Sequence, residues 1–190
     1  MRCISCEKLS FLIICKSCQE KYLEPSFHKR EIDKNFFNYS FYALSDIEDL
    51  INSKYYFYGD RIYNILAKLS FEKFAQNFDF KYKVYAIPID DHTRHEFSHT
   101  AILTKHLQSK YIQAKTNCLK ATNKVKYAGK NLKYRQDNPR NFKLSNLYNQ
   151  TTIICDDLIT TGATILEAKK VLKKKNNQVI FSLTLADAKI

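Results

Sequence analysis

The chain has 190 residues, enough for one sizeable domain and a small appendage. Charged and apolar fractions of 26% and 45% are those of a soluble globular protein, and no run is long and apolar enough to span a bilayer, which excludes membrane insertion. An excess of 31 basic over 19 acidic residues gives +12, which favours polyanionic partners such as nucleic acid. The same Lys-, Asn-, Ile-, Phe- and Tyr-rich profile also arises from an A+T-rich genome, so charge alone reports non-specific affinity.

In chain order, the first feature is Cys3, Cys6, Cys15 and Cys18, spaced C-x2-C-x8-C-x2-C. Two such knuckles can point four thiolates at one tetrahedral centre, the arrangement of structural zinc. A region this short cannot bury its own core, so Zn2+ would supply its folding energy. A redox C-x-x-C or two chance pairs is the alternative, but no βαβ unit precedes the motif. The apolar run from Leu9 to Cys15 is too short for a membrane span and has no cleavable small-residue site after it, so a cytoplasmic location is expected. Cys118 and Cys155 stand alone, and disulfides are not expected in an intracellular protein.

Residues 24 to 37, with Pro25 and mixed charges, read as a linker. The expected division is a zinc-binding module with its linker over 1–30 and a second domain over 36–190. Tyr39 to Leu44 predicts a strand, and Ser45 to Glu48 a capping box opening a short helix. Asp60 is placed to cap a longer helix with Ile62, Ile65, Leu66 and Leu69 on one face. Val84 to Ile89 predicts a strand, and residues 98 to 108 a helix with Ala101, Ile102 and Leu107 inward. Thr152 to Cys155 predicts a buried strand, Ala163 to Lys174 a helix and Val179 to Leu185 a last strand. This alternation implies an α/β fold, a mostly parallel sheet flanked by helices.

The segment from Ile153 to Thr164 carries the most chemistry. An apolar strand ends in Asp156 and Asp157, and the turn Thr160-Thr161-Gly162-Ala163-Thr164 enters the next helix. In open α/β sheets, ligands bind beyond the carboxyl ends of strands. Helix-start amides and threonine hydroxyls suit a phosphate, and Gly162 permits close approach. Carboxylates one loop away can accept hydrogen bonds from ribose hydroxyls. A plain N-cap cluster is the alternative, but it leaves two adjacent acids unexplained.

This segment resembles the phosphoribosyl-diphosphate (PRPP) signature of type I phosphoribosyltransferases, most closely in the form found in the ComF family of competence proteins. The four-cysteine knuckle is also similar to a ComF feature. Lys54-Tyr55 ahead of Gly59-Asp60, Ile87-Pro88-Ile89 followed by Arg94 and Phe97, and the basic stretch Lys126 to Phe142 resemble further parts of that family. The resemblance implies a type I phosphoribosyltransferase-like fold. In it Asp156, Asp157, Leu158, Ile159, Thr160, Thr161, Gly162, Ala163 and Thr164, with Asp90 and Lys54, bind PRPP, and Mg2+ bridges diphosphate and ribose. It implies catalytic roles for Asp156, Asp157 and Arg94 if transfer occurs, with a basic loop that closes and excludes water. Lys126, Lys130, Lys133, Arg135 and Arg140 are the expected nucleic-acid contacts. The chain departs from the family at Glu96, Ser98 and His99, on the substrate side.

His95-Glu96-Phe97-Ser98-His99 also spells H-E-x-x-H, the zinc-protease pattern, but no third ligand follows at the required spacing. The aromatic-basic run from Lys54 to Tyr58 fits base stacking and core packing equally well. The resemblance implies a role in natural transformation: handling incoming single-stranded DNA in the cytoplasm with a competence helicase, at the inner membrane only through partners. An active transferase acting on a base or nucleotide, and a regulator that senses PRPP, stay open beside it, because fold likeness alone does not choose between them.

Overall fold

The computed structural model describes residues 1–89, 97–123, 134 and 137–190. Among these, one sheet has the order β1-β2-β8-β7-β3-β4. Its strands are β1 (His28–Asp33), β2 (Phe36–Ala43), β3 (Val84–Pro88), β4 (Ile112–Ala114), β7 (Thr151–Ile159) and β8 (Gln178–Asp187). All neighbouring pairs are parallel except β1 with β2. A separate antiparallel pair joins β5 (Leu119–Ala121) to β6 (Phe142–Leu144). The mixed α/β expectation therefore holds, with a mostly parallel sheet between helices.

β7 and β8 occupy the middle because their side chains are apolar on both faces, as a doubly covered parallel strand requires. One face carries α2 (Leu44–Asn52), α3 (Gly59–Ala67) and α5 (His99–Lys105), packed around Ile62, Tyr63, Leu66, Phe71 and Leu103. Each fully buried side chain of this size contributes about 2 kcal/mol by leaving water. The other face carries α6 (Ala163–Lys173) and the β5–β6 pair, closed by Ile154, Ile165, Leu172, Leu119 and Phe142. α3 runs through a π-helical turn (Lys68–Glu72) into α4 (Lys73–Asn77).

The first 23 residues form a compact knuckle ending in α1 (Lys16–Tyr22). Cys3, Ile13, Ile14, Cys18 and Leu23 join the same buried cluster as Phe41, Tyr63 and Leu66, so the knuckle is packed onto the sheet domain. The Tyr42 hydroxyl donates to the Leu23 carbonyl at 2.9 Å and fixes the junction.

Several local expectations are corrected. The stretch read as a linker contains β1, an edge strand paired with β2, with the left-handed residue Asn35 (φ 55°) in its tight turn. β7 continues through both acids to Ile159 instead of stopping at Cys155. The capping box does not form: Ser45 lies inside α2 and its hydroxyl donates to Asp46. Asp60 sits one residue inside α3 and makes no cap. α5 starts at His99, capped by the Ser98 hydroxyl accepting from the Ala101 amide, and buries Thr100, Leu103 and Thr104; of the residues expected inward, Leu107 is fully buried just past the helix, Ile102 packs at the edge of the core and Ala101 is only half-buried.

Candidate functional site

Cys3, Cys6, Cys15 and Cys18 converge, with their Sγ atoms all within 4.8 Å of one another. Cys6 Sγ and Cys15 Sγ are 3.7 Å apart. That is about the S–S edge of a tetrahedron with Zn–S bonds near 2.3 Å. The Cys15 amide donates to Cys3 Sγ at 3.3 Å and is the main reason the Cys3 thiol is pulled down to about 6. Such amide donors favour a thiolate, the form that binds metal. The donor set therefore fits a closed, structural four-thiolate metal.

The second cluster lies at the carboxyl end of β7. Successive strand residues point to opposite faces, so the adjacent acids part company. Asp157 turns toward the α3/α5 face and is 5% exposed. Its Oδ2 accepts from Lys54 Nζ at 2.6 Å and from the Tyr63 hydroxyl at 3.2 Å, and His99 Nε2 stands 3.4 Å away. Burial alone would push the Asp157 carboxyl up, but the charges of Lys54 and His99 win and hold it well below its ordinary range. Burial would likewise lower Lys54, and the Asp157 charge raises it instead. Asp156 turns the other way and stays half-buried. Desolvation and the neighbouring Asp157 charge push it well above the carboxylate range, partly opposed by Arg140. One acid is thus locked in the ionised form, and the other is poised to respond to a cation or a hydroxyl donor.

Leu158 and Ile159 complete β7, and Thr160 to Gly162 form the turn into α6. Gly162 is the N-cap of α6 with φ +82°, a left-handed conformation that disfavours any side chain. The Thr161 hydroxyl accepts from the Ala163 amide at 3.4 Å, and Ala163 and Thr164 open the helix. The first amides of an eleven-residue helix have no intrahelical acceptor, and its dipole favours an anion there.

Lys54 reaches the site from a 3₁₀ turn (Ser53–Tyr55). Gly59 makes that turn possible, since a Cβ there would fall 2.2 Å from the Ser53 carbonyl oxygen. Arg140 is half-buried, with Nε and Nη1 shielded from solvent, and its charge acts on Asp156. The Glu167 carboxylate of α6 holds this segment in place by accepting from the amides of Arg140 and Asn141 at 3.1 and 2.7 Å. Asp90, Arg94, His95, Lys126, Lys130, Lys133 and Arg135 lie outside the described residues.

Sequence reasoning missed Tyr63, Arg30 and Asp187. Tyr63 had a legible signal, a hydroxyl on the apolar stripe of α3 that needs a buried partner. Arg30 and Asp187 had none. They meet at 2.9 Å because β1 and β8 flank β2.

No family model matches the chain, and no curated protein matches it. Among solved structures it is similar to a hypoxanthine phosphoribosyltransferase from Staphylococcus aureus, at 11% identity and TM-score 0.41, covering 66% of this chain and 62% of that one. It is similar to an adenine phosphoribosyltransferase at 14% identity and TM-score 0.38, covering 88% of each. It is also similar to Leishmania donovani UMP synthase at 16% identity and TM-score 0.38, covering 66% of this chain and 22% of that one. The chain thus spans less than two thirds of the first and third of these proteins. The class defined so far is an α/β protein with a four-thiol knuckle and an acid-plus-turn site at the end of its central strand.

Proposed function

We propose that this chain binds PRPP or a related phosphoribosyl ligand at the carboxyl end of β7. The observation that carries this reading is the juxtaposition of Asp156 and Asp157 with the Gly162 turn at the start of α6. The amides and hydroxyls of Thr160, Thr161, Gly162, Ala163 and Thr164 would take the 5′-phosphate. Asp156 would accept from the ribose hydroxyls. Asp157, kept ionised and charge-balanced by Lys54, would hold the wall behind it.

Mg2+ prefers oxygen donors and few protein ligands, so the diphosphate oxygens with the half-buried Asp156 suit it. When bound it would neutralise diphosphate charge. Asp90 and Arg94 are proposed on the diphosphate side, and Zn2+ is proposed for the four thiols.

At the finer level, the resemblance to ComF proteins points to natural competence, with single-stranded DNA handled by the basic segment that includes Lys126, Lys130, Lys133, Arg135 and Arg140. The net charge of +12 supports that reading. The alternative is a working transferase. Calorimetry with PRPP and Mg2+ tests the binding, and a diphosphate-release assay across bases tests transfer. Absence of PRPP binding to the folded, zinc-loaded protein sinks the main proposal. Binding without release favours a carrier or sensor over a transferase. Titration of single-stranded DNA at several salt concentrations tests the competence role, which fails if none binds at low salt.

A further inference from the structure

β1 grips the turn that precedes α6 at two places. Arg30 Nη2 donates to the Thr160 carbonyl at 3.0 Å, and Arg30 Nη1 lies 2.9 Å from Asp187 Oδ1 at the end of β8. Two residues further on the same face of β1, Ile32 packs against Gly162, with its Cβ 3.4 Å from where a side chain on that glycine would begin. Asp33 extends the grip to α6 itself, accepting from Lys169 Nζ at 2.9 Å. The edge strand β1, residues 28–33, therefore holds the turn, the glycine and the helix.

The chemistry of the peptide group gives this grip a consequence. A trans peptide is planar, and its C=O and the following N–H point in opposite directions. Holding the Thr160 carbonyl against Arg30 therefore aims the Thr161 N–H away from β1, into the turn. A flip of that one peptide would put a carbonyl oxygen where an anion needs a donor.

The arrangement is not optimised for stability. Arg30 Nε and Asp187 Oδ2 are shielded from solvent without a hydrogen bond, and Arg30 Nη1 meets Asp187 as an ion pair without hydrogen-bond alignment. Buried groups left in that state are costly and call for a functional reason. We propose that Arg30, anchored by Asp187, is a positioning residue that presets the anion-binding turn, with the phosphate group of the sugar ligand as the chemistry it serves. This rests on the phosphoribosyl reading of the site.

The test uses the full zinc-loaded chain with ribose 5-phosphate as probe, and with Arg30→Lys, Arg30→Ala and the charge-neutral pair Arg30→Gln with Asp187→Asn. Melting curves establish which variants fold. Wild type should bind ribose 5-phosphate. Arg30→Ala and the neutral pair should bind at least tenfold more weakly, and Arg30→Lys, which keeps one donor, should recover part of the loss. Amide exchange at Thr161 to Thr164 in the ligand-free protein should quicken at least tenfold in Arg30→Ala while exchange in β7 and β8 is unchanged. A structural role alone would move the melting curve and leave this local exchange alone. Wild-type binding that survives within twofold in every folded variant overturns the assignment. If wild type does not bind the probe, the phosphoribosyl reading fails, and unchanged exchange at Thr161 to Thr164 then overturns the clamp as well.

Discussion

Lys54 Nζ sits 2.6 Å from Asp157 Oδ2 although 103 residues separate them in sequence. The 3₁₀ turn that carries Lys54 and the strand that carries Asp157 meet because α2 and α5 pack on this face of β7 and α3 lies against both helices, which brings Tyr63 onto Asp157. The pair is nearly enclosed, with side chains 18% and 8% exposed. Removing one partner from such a pair strands the other charge.

Lys54→Met should therefore destabilise the protein at neutral pH by about 3 kcal/mol. The sign of its pH dependence follows from the directions of the shifts. Asp157 lies below its ordinary carboxyl value of 3.8, so its contribution is complete above that value and is lost as pH falls toward the folded one. Lys54 lies above its ordinary 10.5, so its share is complete below 10.5 and is lost as pH climbs through the higher folded value. Melts of wild type and Lys54→Met at pH 3 and 7 should show the difference shrinking on the acid side. A difference that is the same at both pH values would contradict the pairing.

Asp156 should behave in the opposite way. Its raised carboxyl means that ionising it in the folded state costs stability, a cost that is absent below the unfolded value and grows as pH rises toward the folded one. Asp156→Asn should stabilise the ligand-free protein at pH 7 by about 1 kcal/mol. The same substitution should weaken PRPP binding at least tenfold, a stability–function trade-off. Chemical denaturation alongside calorimetry reads both effects.

The four thiols should hold one zinc per chain. Cys6→Ser or Cys15→Ser should lose it, as measured by elemental analysis of the purified protein. Because Ile13, Ile14 and Leu23 belong to the main buried cluster, loss of the metal should also lower the melting temperature of the sheet domain. A zinc-free variant with an unchanged melt would show that the knuckle folds without metal.

The two glycines beside the site should rank in an order their positions in sequence do not suggest. Gly162→Ala faces a φ of +82° and ordinary contact with Ile32, a cost of about 1 kcal/mol. Gly59→Ala drives a Cβ to 2.2 Å from the Ser53 carbonyl and must displace the turn bearing Lys54. It should cost more, about 2–3 kcal/mol, and should loosen the Lys54–Asp157 contact. Equal melting temperatures for the two variants would refute this ranking.

The elements that depend on local chemistry were legible from residues alone. Ile153 to Cys155 is continuously apolar because it is covered on both faces, and that run marked the central strand. The cysteine spacing marked the four-thiol cluster because four cysteines in eighteen residues can hardly avoid one another. Gly162 between threonines marked the turn because its backbone conformation is a local property. The failures were local propensity overridden by packing. Ser45 and Asp60 look like caps, but the helices begin earlier, where the chain leaves β2 and where Gly59 fits against Ser53.

Leaving aside β1, β4, β5 and β6, which it did not reveal, the sequence alone specified β2, β3, β7 and β8, the cluster of four cysteines, and two carboxylates ahead of a glycine turn. Each follows from the spacing of near neighbours. Only the tertiary structure decided that Asp157 faces Lys54, Tyr63 and His99 while Asp156 faces Arg140, and that residues 28–33 form the edge strand whose Arg30 holds Thr160. Those partners lie between 58 and 130 residues from theirs, except Asp156, which lies 16 from Arg140. Periodicity carries no signal for contacts made by packing helices across a sheet and by pairing an edge strand with it.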